Sequence, residues 1–153
     1  VSFSEIDLAA NPPRVAFPRV YNAAVDLVDR HVVEGNGDRI AYVDDHGSIT
    51  YSVLAERTRR AASVLRAFGV VPEQRVALVM LDTIDFPTLF LGAIRAGVVP
   101  VPLNTLLTQN DYAFMLADSR ARLAIVSDAL LPKVEPIAGD VRVVPTSALP
   151  ELL

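Results

Sequence analysis

Two wholly apolar runs, Val76-Ala77-Leu78-Val79-Met80-Leu81 and Val98-Val99-Pro100-Val101-Pro102-Leu103, are separated by a helical spacing of Phe86, Leu89, Phe90, Ala93 and Ile94. Strands apolar on both sides must be covered on both faces. That requirement predicts a parallel, doubly wound sheet, in which ligands gather at the carboxyl ends of the strands. The turns Asp82-Thr83 and Asn104-Thr105 stand at those ends. Gly97 stops the intervening helix, and Pro87 falls in its first turn, where the missing amide costs least.

The flanking pattern extends the same alternation. Pro12, Pro13 and Pro18 favour an extended arm over residues 1–20. Ala24, Leu27, Val28 and His31 predict a short helix, closed by Glu34-Gly35-Asn36-Gly37-Asp38. Ile40-Ala41-Tyr42-Val43 and Ser48-Ile49-Thr50-Tyr51 flank Asp44-Asp45-His46-Gly47, a hairpin with a four-residue turn. Leu54, Ala61, Leu65 and Phe68 then form one helical stripe ending at Gly69, with Glu56 and Arg60 as an exposed i,i+4 pair. Thr108 can cap a third helix with Asp111 in its first turn, turning Tyr112, Met115 and Leu116 inward. Strands at Leu123-Ala124-Ile125-Val126 and Val141-Arg142-Val143-Val144 enclose a weaker helix, Leu130 to Ile137, interrupted by Pro132 and Pro136. The expected fold class is α/β: a mainly parallel doubly wound sheet with helices on both faces, plus an N-terminal hairpin. Its expected division is an arm over 1–20, an α/β subdomain over 21–145 and a truncated linker over 146–153.

Composition narrows the functional classes. With 52% hydrophobic and 21% charged residues the chain is globular rather than disordered. A formal charge of −4 without a basic cluster excludes a nucleic-acid footprint, because the phosphate backbone demands concentrated positive charge. Lack of cysteine excludes disulfides, thiol nucleophiles and cysteine-ligated metals, and fits a cytoplasmic location. No apolar run approaches the roughly 20 residues that span a bilayer, so no membrane partner is expected. Val1-Ser2-Phe3-Ser4 has no signal-peptide character, and both ends read as cut, processed or trimmed.

Local chemistry is sparse. Gly35-Asn36-Gly37 lacks the preceding strand and third glycine of a dinucleotide loop. Asp44, Asp45 and His46 read as a polar turn rather than a metal site, and Arg57, Arg59 and Arg60 as a solvated helix face. Lys133 is the only lysine and has no activating neighbour; no Gly-x-Ser-x-Gly occurs. No catalytic residue and no metal ligand is assigned.

Two blocks carry a family resemblance. Ile49-Thr50-Tyr51-Ser52-Val53-Leu54 with Arg57, and Leu91-Gly92-Ala93-Ile94-Arg95-Ala96-Gly97-Val98-Val99-Pro100-Val101-Pro102-Leu103-Asn104, resemble early blocks of the adenylate-forming (AMP-binding) acyl-CoA synthetases. Within that superfamily Met80 to Phe86, Asn104 to Thr108, Asp111-Tyr112 and Ser119 to Arg122 look most like benzoate and 4-hydroxybenzoate CoA ligases. The likeness runs from about Phe17 to Asp140 and corresponds to the opening part of such an enzyme. Val53 replaces the usual glutamate, so Thr50 loses the reciprocal half of a capping box. Leu106 stands where some relatives carry a basic residue able to meet CoA phosphates, a contact leucine cannot make.

The resemblance implies the N-terminal subdomain of the adenylate-forming ligase fold, and a full-length parent using ATP, Mg²⁺ and CoA on an aromatic carboxylate. The catalytic motifs of that family are absent here, so the chain is expected to be inactive alone and to hold no cofactor. Asp82-Thr83 then reads as a helix cap, and Asn104, Thr105, Leu106 and Thr108 as at most a rim near the CoA path. Expected partners are the remaining subdomains of the same polypeptide and a second copy bound through exposed apolar surface. A short non-catalytic α/β module that binds a ligand or partner is the alternative.

Overall fold

In the computed structural model, residues 3–149 are described. Within the arm, β1 (Glu5–Asp7) pairs antiparallel with β2 (Arg14–Ala16). One turn of π-helix, Val25–Asp29, runs into α1 (Arg30–Val33) where the sequence pattern predicts a single short α-helix. The wider winding shifts the inward face. Leu27 is 57% exposed, whereas Asp26 is buried and gathers the hydroxyls of Ser4 and Tyr21 and the guanidinium of Arg30.

The hairpin consists of β3 (Ile40–Asp44) and β4 (Gly47–Thr50). Asp44 pairs with Gly47, so the turn is the two residues Asp45-His46 rather than four, and Tyr51 is already helical. α2 (Tyr51–Ala67) starts on Thr50, whose hydroxyl accepts from the Val53 amide with no reciprocal bond. It ends before Gly69, whose positive φ of 80° suits glycine.

Four strands make the central parallel sheet. They are β5 (Arg75–Val79), β6 (Val99–Pro102), β7 (Leu123–Val126) and β8 (Arg142–Pro145), in spatial order β6-β5-β7-β8. The predicted runs were longer because Met80, Leu81 and Leu103 are apolar but belong to the loops leaving the sheet. Alternate residues face opposite layers. Val76, Leu78, Leu123 and Ile125 pack against α2 and against α3 (Asp85–Arg95), through Leu65 and Leu89. Ala77, Val79, Ala124 and Val126 pack on the other face, against α4 (Gln109–Ser119), through Tyr112 and Leu116, and against α5 (Leu131–Val134), through Val134.

Helix α4 has the full capping box: Thr108 accepts from the Asp111 amide and Asp111 accepts from the Thr108 amide. The segment before β8 is broken as its prolines predict, into Asp128–Leu130, α5 and Glu135–Ile137, the outer two being short 3₁₀ turns. On the other face Gly92 makes the α2–α3 contact possible. A Cβ there would lie 2.5 Å from the Ala61 Cβ and 3.1 Å from the Thr58 carbonyl oxygen. A third cluster, Ala24, Val28, Leu54, Ala55 and Leu91, attaches the π-helical turn to this pair.

Candidate functional site

Strand order places the crevice. From β5 the chain leaves for α3 on one face and from β7 for α5 on the other, so their loops diverge at the carboxyl edge, where open α/β sheets hold ligands. A cleft of about 570 Å³ lies there. Leu81 and Thr83 follow β5, Ser127 and Asp128 follow β7, Thr146 follows β8, and the hairpin supplies Asp44 and His46.

Each carboxylate around the cleft is already engaged. Asp128 accepts from the Thr146 hydroxyl at 2.8 Å, the Ser147 amide at 2.9 Å and the Ser147 hydroxyl, tying the end of β7 to that of β8. Those bonds, Ser147's first, hold its carboxyl below the usual aspartate range. Asp85, at the start of α3, is ion-paired with Arg57 of α2. Asp44 accepts from the His46 and Gly47 amides and, across the edge, from the Ile84 amide at 2.9 Å. These bonds, Ile84's first, hold its carboxyl below the usual aspartate range as well. Buried Ser127 accepts from the Leu81 amide at 3.0 Å and so joins the ends of β5 and β7.

This arrangement corrects two expectations. Asp82-Thr83 does not cap α3: Ile84, the residue before the helix, makes no side-chain cap, and its amide is taken by Asp44 from the hairpin. Arg57 does not belong to a solvated face. It turns inward to Asp85, while Arg59 and Arg60 remain 56% exposed and reach Asp29 and Glu56.

The proposed rim residues divide into two sets. Asn104 and Thr105 line a recess of about 350 Å³ with Asp82, Phe86 and Leu103 at the ends of β5 and β6. The Asn104 side chain accepts from the Leu106 amide, and its carbonyl accepts from the Tyr112 hydroxyl at 2.8 Å. Leu106 projects outward at 85% exposure, and Thr108 is occupied in the α4 cap, so neither lines the recess. Sequence reasoning missed Ser127, Asp128 and Thr146. The carboxyl-end rule that drew attention to Asp82 and Asn104 applies equally to residues just after the runs at Leu123 and Val141.

A parallel sheet wound on both faces with a polar cleft at its carboxyl edge is a scaffold common to many ligand-binding proteins, and the sequence decides among them. Residues 29–151 fit the AMP-binding enzyme model, and the chain belongs to that family. It is similar to benzoate--CoA ligase of Thauera aromatica, 50% identical over 92% of this chain and 27% of that protein. It is also similar to 4-hydroxybenzoate--CoA/benzoate--CoA ligase of Rhodopseudomonas palustris, 51% identical over 80% of this chain and 23% of that protein. The crystal structure of a benzoate CoA ligase from Burkholderia xenovorans LB400 superposes with a TM-score of 0.76 at 48% identity, covering 82% of this chain and 25% of that one. The chain thus spans about a quarter of the length of the curated relatives it matches.

Proposed function

We propose that this chain is the N-terminal portion of an aromatic-acid CoA ligase acting on benzoate or 4-hydroxybenzoate. The observation that carries the reading is the 50% identity to a benzoate--CoA ligase across 92% of the chain. In the reaction so inferred, a carboxylate oxygen attacks the α-phosphorus of ATP and pyrophosphate leaves; the CoA thiolate then attacks the acyl carbon and AMP leaves. Mg²⁺ and basic groups would stabilise the developing phosphate charge.

The described residues do not fit a Mg²⁺–ATP site. Asp44, Asp85 and Asp128 are each committed to protein donors, and the only lysine, Lys133, lies on α5 away from the cleft lining. On this reading the triphosphate and metal ligands belong to the rest of the ligase, and residues 21–145 act as scaffold between the arm and a linker. Of that linker, residues 150–153 lie outside the described residues, while Leu149 is fully buried in the sheet core.

The full-length ligase is expected to form benzoyl-CoA or its 4-hydroxy analogue in the cytoplasm, and the 153-residue chain to release no benzoate-dependent pyrophosphate from ATP. Adenylate formation by the chain alone overturns its inactivity. A full-length enzyme that thioesterifies only aliphatic acids overturns the substrate class. We place Asn104 and Thr105, with Leu106 and Thr108 outside them, at the rim of the CoA path. Exposed Val43, Leu106 and Phe114 make self-association through apolar surface an expectation that sedimentation tests directly.

A further inference from the structure

Hairpin β3–β4 is a two-stranded ribbon, which is marginal on its own in water. Ile40 and Val43 are 62% and 71% exposed, so its apolar anchoring rests on Ala41 and Ile49, which pack against the cluster of Leu54 and Leu91. The ribbon nevertheless walls two cavities. Gly47, Ser48 and Ile49 line the switch-point cleft. On its other side Tyr42 and Val43 face Phe86, Pro87 and Phe90 of α3 across an apolar groove of about 400 Å³.

Asp44 lines the cleft, and Ile84, whose amide it holds, lines both the cleft and the groove. The Asp44 Oδ1 accepts from the amides of His46 and Gly47 at 2.8 and 3.1 Å, closing the turn. Its Oδ2 accepts from the Ile84 amide at 2.9 Å, one residue before α3 begins. One side chain thus supplies both the cap of the turn and the donor-seeking group at the start of a helix 40 residues away in sequence. We propose that Asp44 is a latch: its carboxylate fixes the hairpin to the start of α3 and so sets the width of both the cleft and the groove. This positioning role holds whichever carboxylic acid the ligase takes.

Chemistry makes the idea separable from simple charge or general stability. Asparagine has one acceptor oxygen and an amino group that cannot accept, so Asp44→Asn can serve the turn or Ile84 but not both. Neighbouring Asp45→Asn removes the same charge from an exposed turn residue without touching the bridge. Native-state amide exchange, followed by NMR on the 153-residue chain, reads the difference.

The expected result for Asp44→Asn is exchange about tenfold faster at Tyr42, Ile49 and Ile84, with less than about twofold change in β5 and β7, as loss of one charge-assisted bond predicts. Asp44→Ala should enlarge the effect, and Asp45→Asn should leave all of these amides unchanged. Unaltered exchange at the hairpin and Ile84 in Asp44→Asn overturns the latch. So does equal acceleration in β5 and β7, which marks a general stabiliser, or the same hairpin response in Asp45→Asn, which marks a charge effect.

Discussion

The sheet layer and the N-terminal layer are held by different forces. In β5–β8 the links are apolar and shared: Val76, Leu78, Ala124 and Ile125 are all fully buried, and each packs into a cluster on one face or the other. Residues 3–50 bury few apolar side chains, Ala24 and Val28 chief among them, and add to that small cluster a few carboxylates. Asp26 collects Ser4, Tyr21 and Arg30; Asp29 forms a two-point fork with Arg95 at 2.9 Å for each bond; Asp44 reaches Ile84. Meanwhile Leu8 and Val20 are 79% and 88% exposed. Dispersed burial loses stability by degrees, whereas a directional link fails when one atom goes. The N-terminal layer should therefore be detachable by single polar substitutions that leave the sheet folded.

The largest test strikes the sheet. Leu78→Ala empties a fully buried position at the centre of the cluster and should cost about 3 kcal/mol, read as a lower urea midpoint for the whole chain. Gly92→Ala should cost about 2 kcal/mol, because the new methyl meets Ala61 and the Thr58 carbonyl before either helix can yield. Asp29→Ala leaves Arg95, whose side chain is only 13% exposed, without its fork and should cost about 1–2 kcal/mol. Its signature is faster exchange in residues 25–33 with β5 and β7 unchanged. If Asp29→Ala loosens the sheet equally, the two layers form one cooperative unit and the contrast fails.

Acid should weaken links in both layers, Asp26 and Asp44 in one and Asp111 and Asp128 in the other. For Asp26 burial opposes ionisation, but the hydrogen bonds from Ser4 and Tyr21, with Arg30 beside them, more than offset it and hold the carboxyl below its ordinary value. A depressed folded value means stabilisation that is fully present above the unfolded aspartate value of about 3.9 and lost as pH falls through the lower folded one. Urea midpoints should accordingly be level from about pH 7 to 5 and decline below about pH 4, with Asp26→Asn flattening the decline. The smallest effect belongs to Leu106→Lys, an outward position whose change should move stability by less than about 0.5 kcal/mol. In the full-length ligase the same variant should lower the KM for CoA if the rim assignment holds.

Legibility in the sequence follows the same division. Apolar runs and helical spacing disclosed the parallel sheet, its two covering layers, the stops at Gly69 and Gly97 and the Thr108–Asp111 cap, because each depends on residues close together in the chain. The Phe17-to-Asp140 resemblance disclosed the family. Hidden were the links between distant segments: Asp44 with Ile84, Arg57 with Asp85, Asp29 with Arg95 and Asp128 with Ser147. Asp44 and Arg57 each have a sufficient local explanation, as turn former and as polar helix face, and only tertiary placement gives them a second partner. Leu27 misled for another reason: π-helical winding moved the inward stripe onto Asp26.

The chain has no tryptophan and four tyrosines. Tyr21, Tyr42 and Tyr51 lie in or beside the N-terminal layer, whereas Tyr112 is fully enclosed between α4 and the sheet with its hydroxyl on the Asn104 carbonyl. The molecule consequently carries its own optical labels. Replacing the first three by phenylalanine leaves emission from the sheet alone, and replacing Tyr112 leaves emission from the other layer. Two such proteins would let a fluorimeter time the loosening of each half without any added dye.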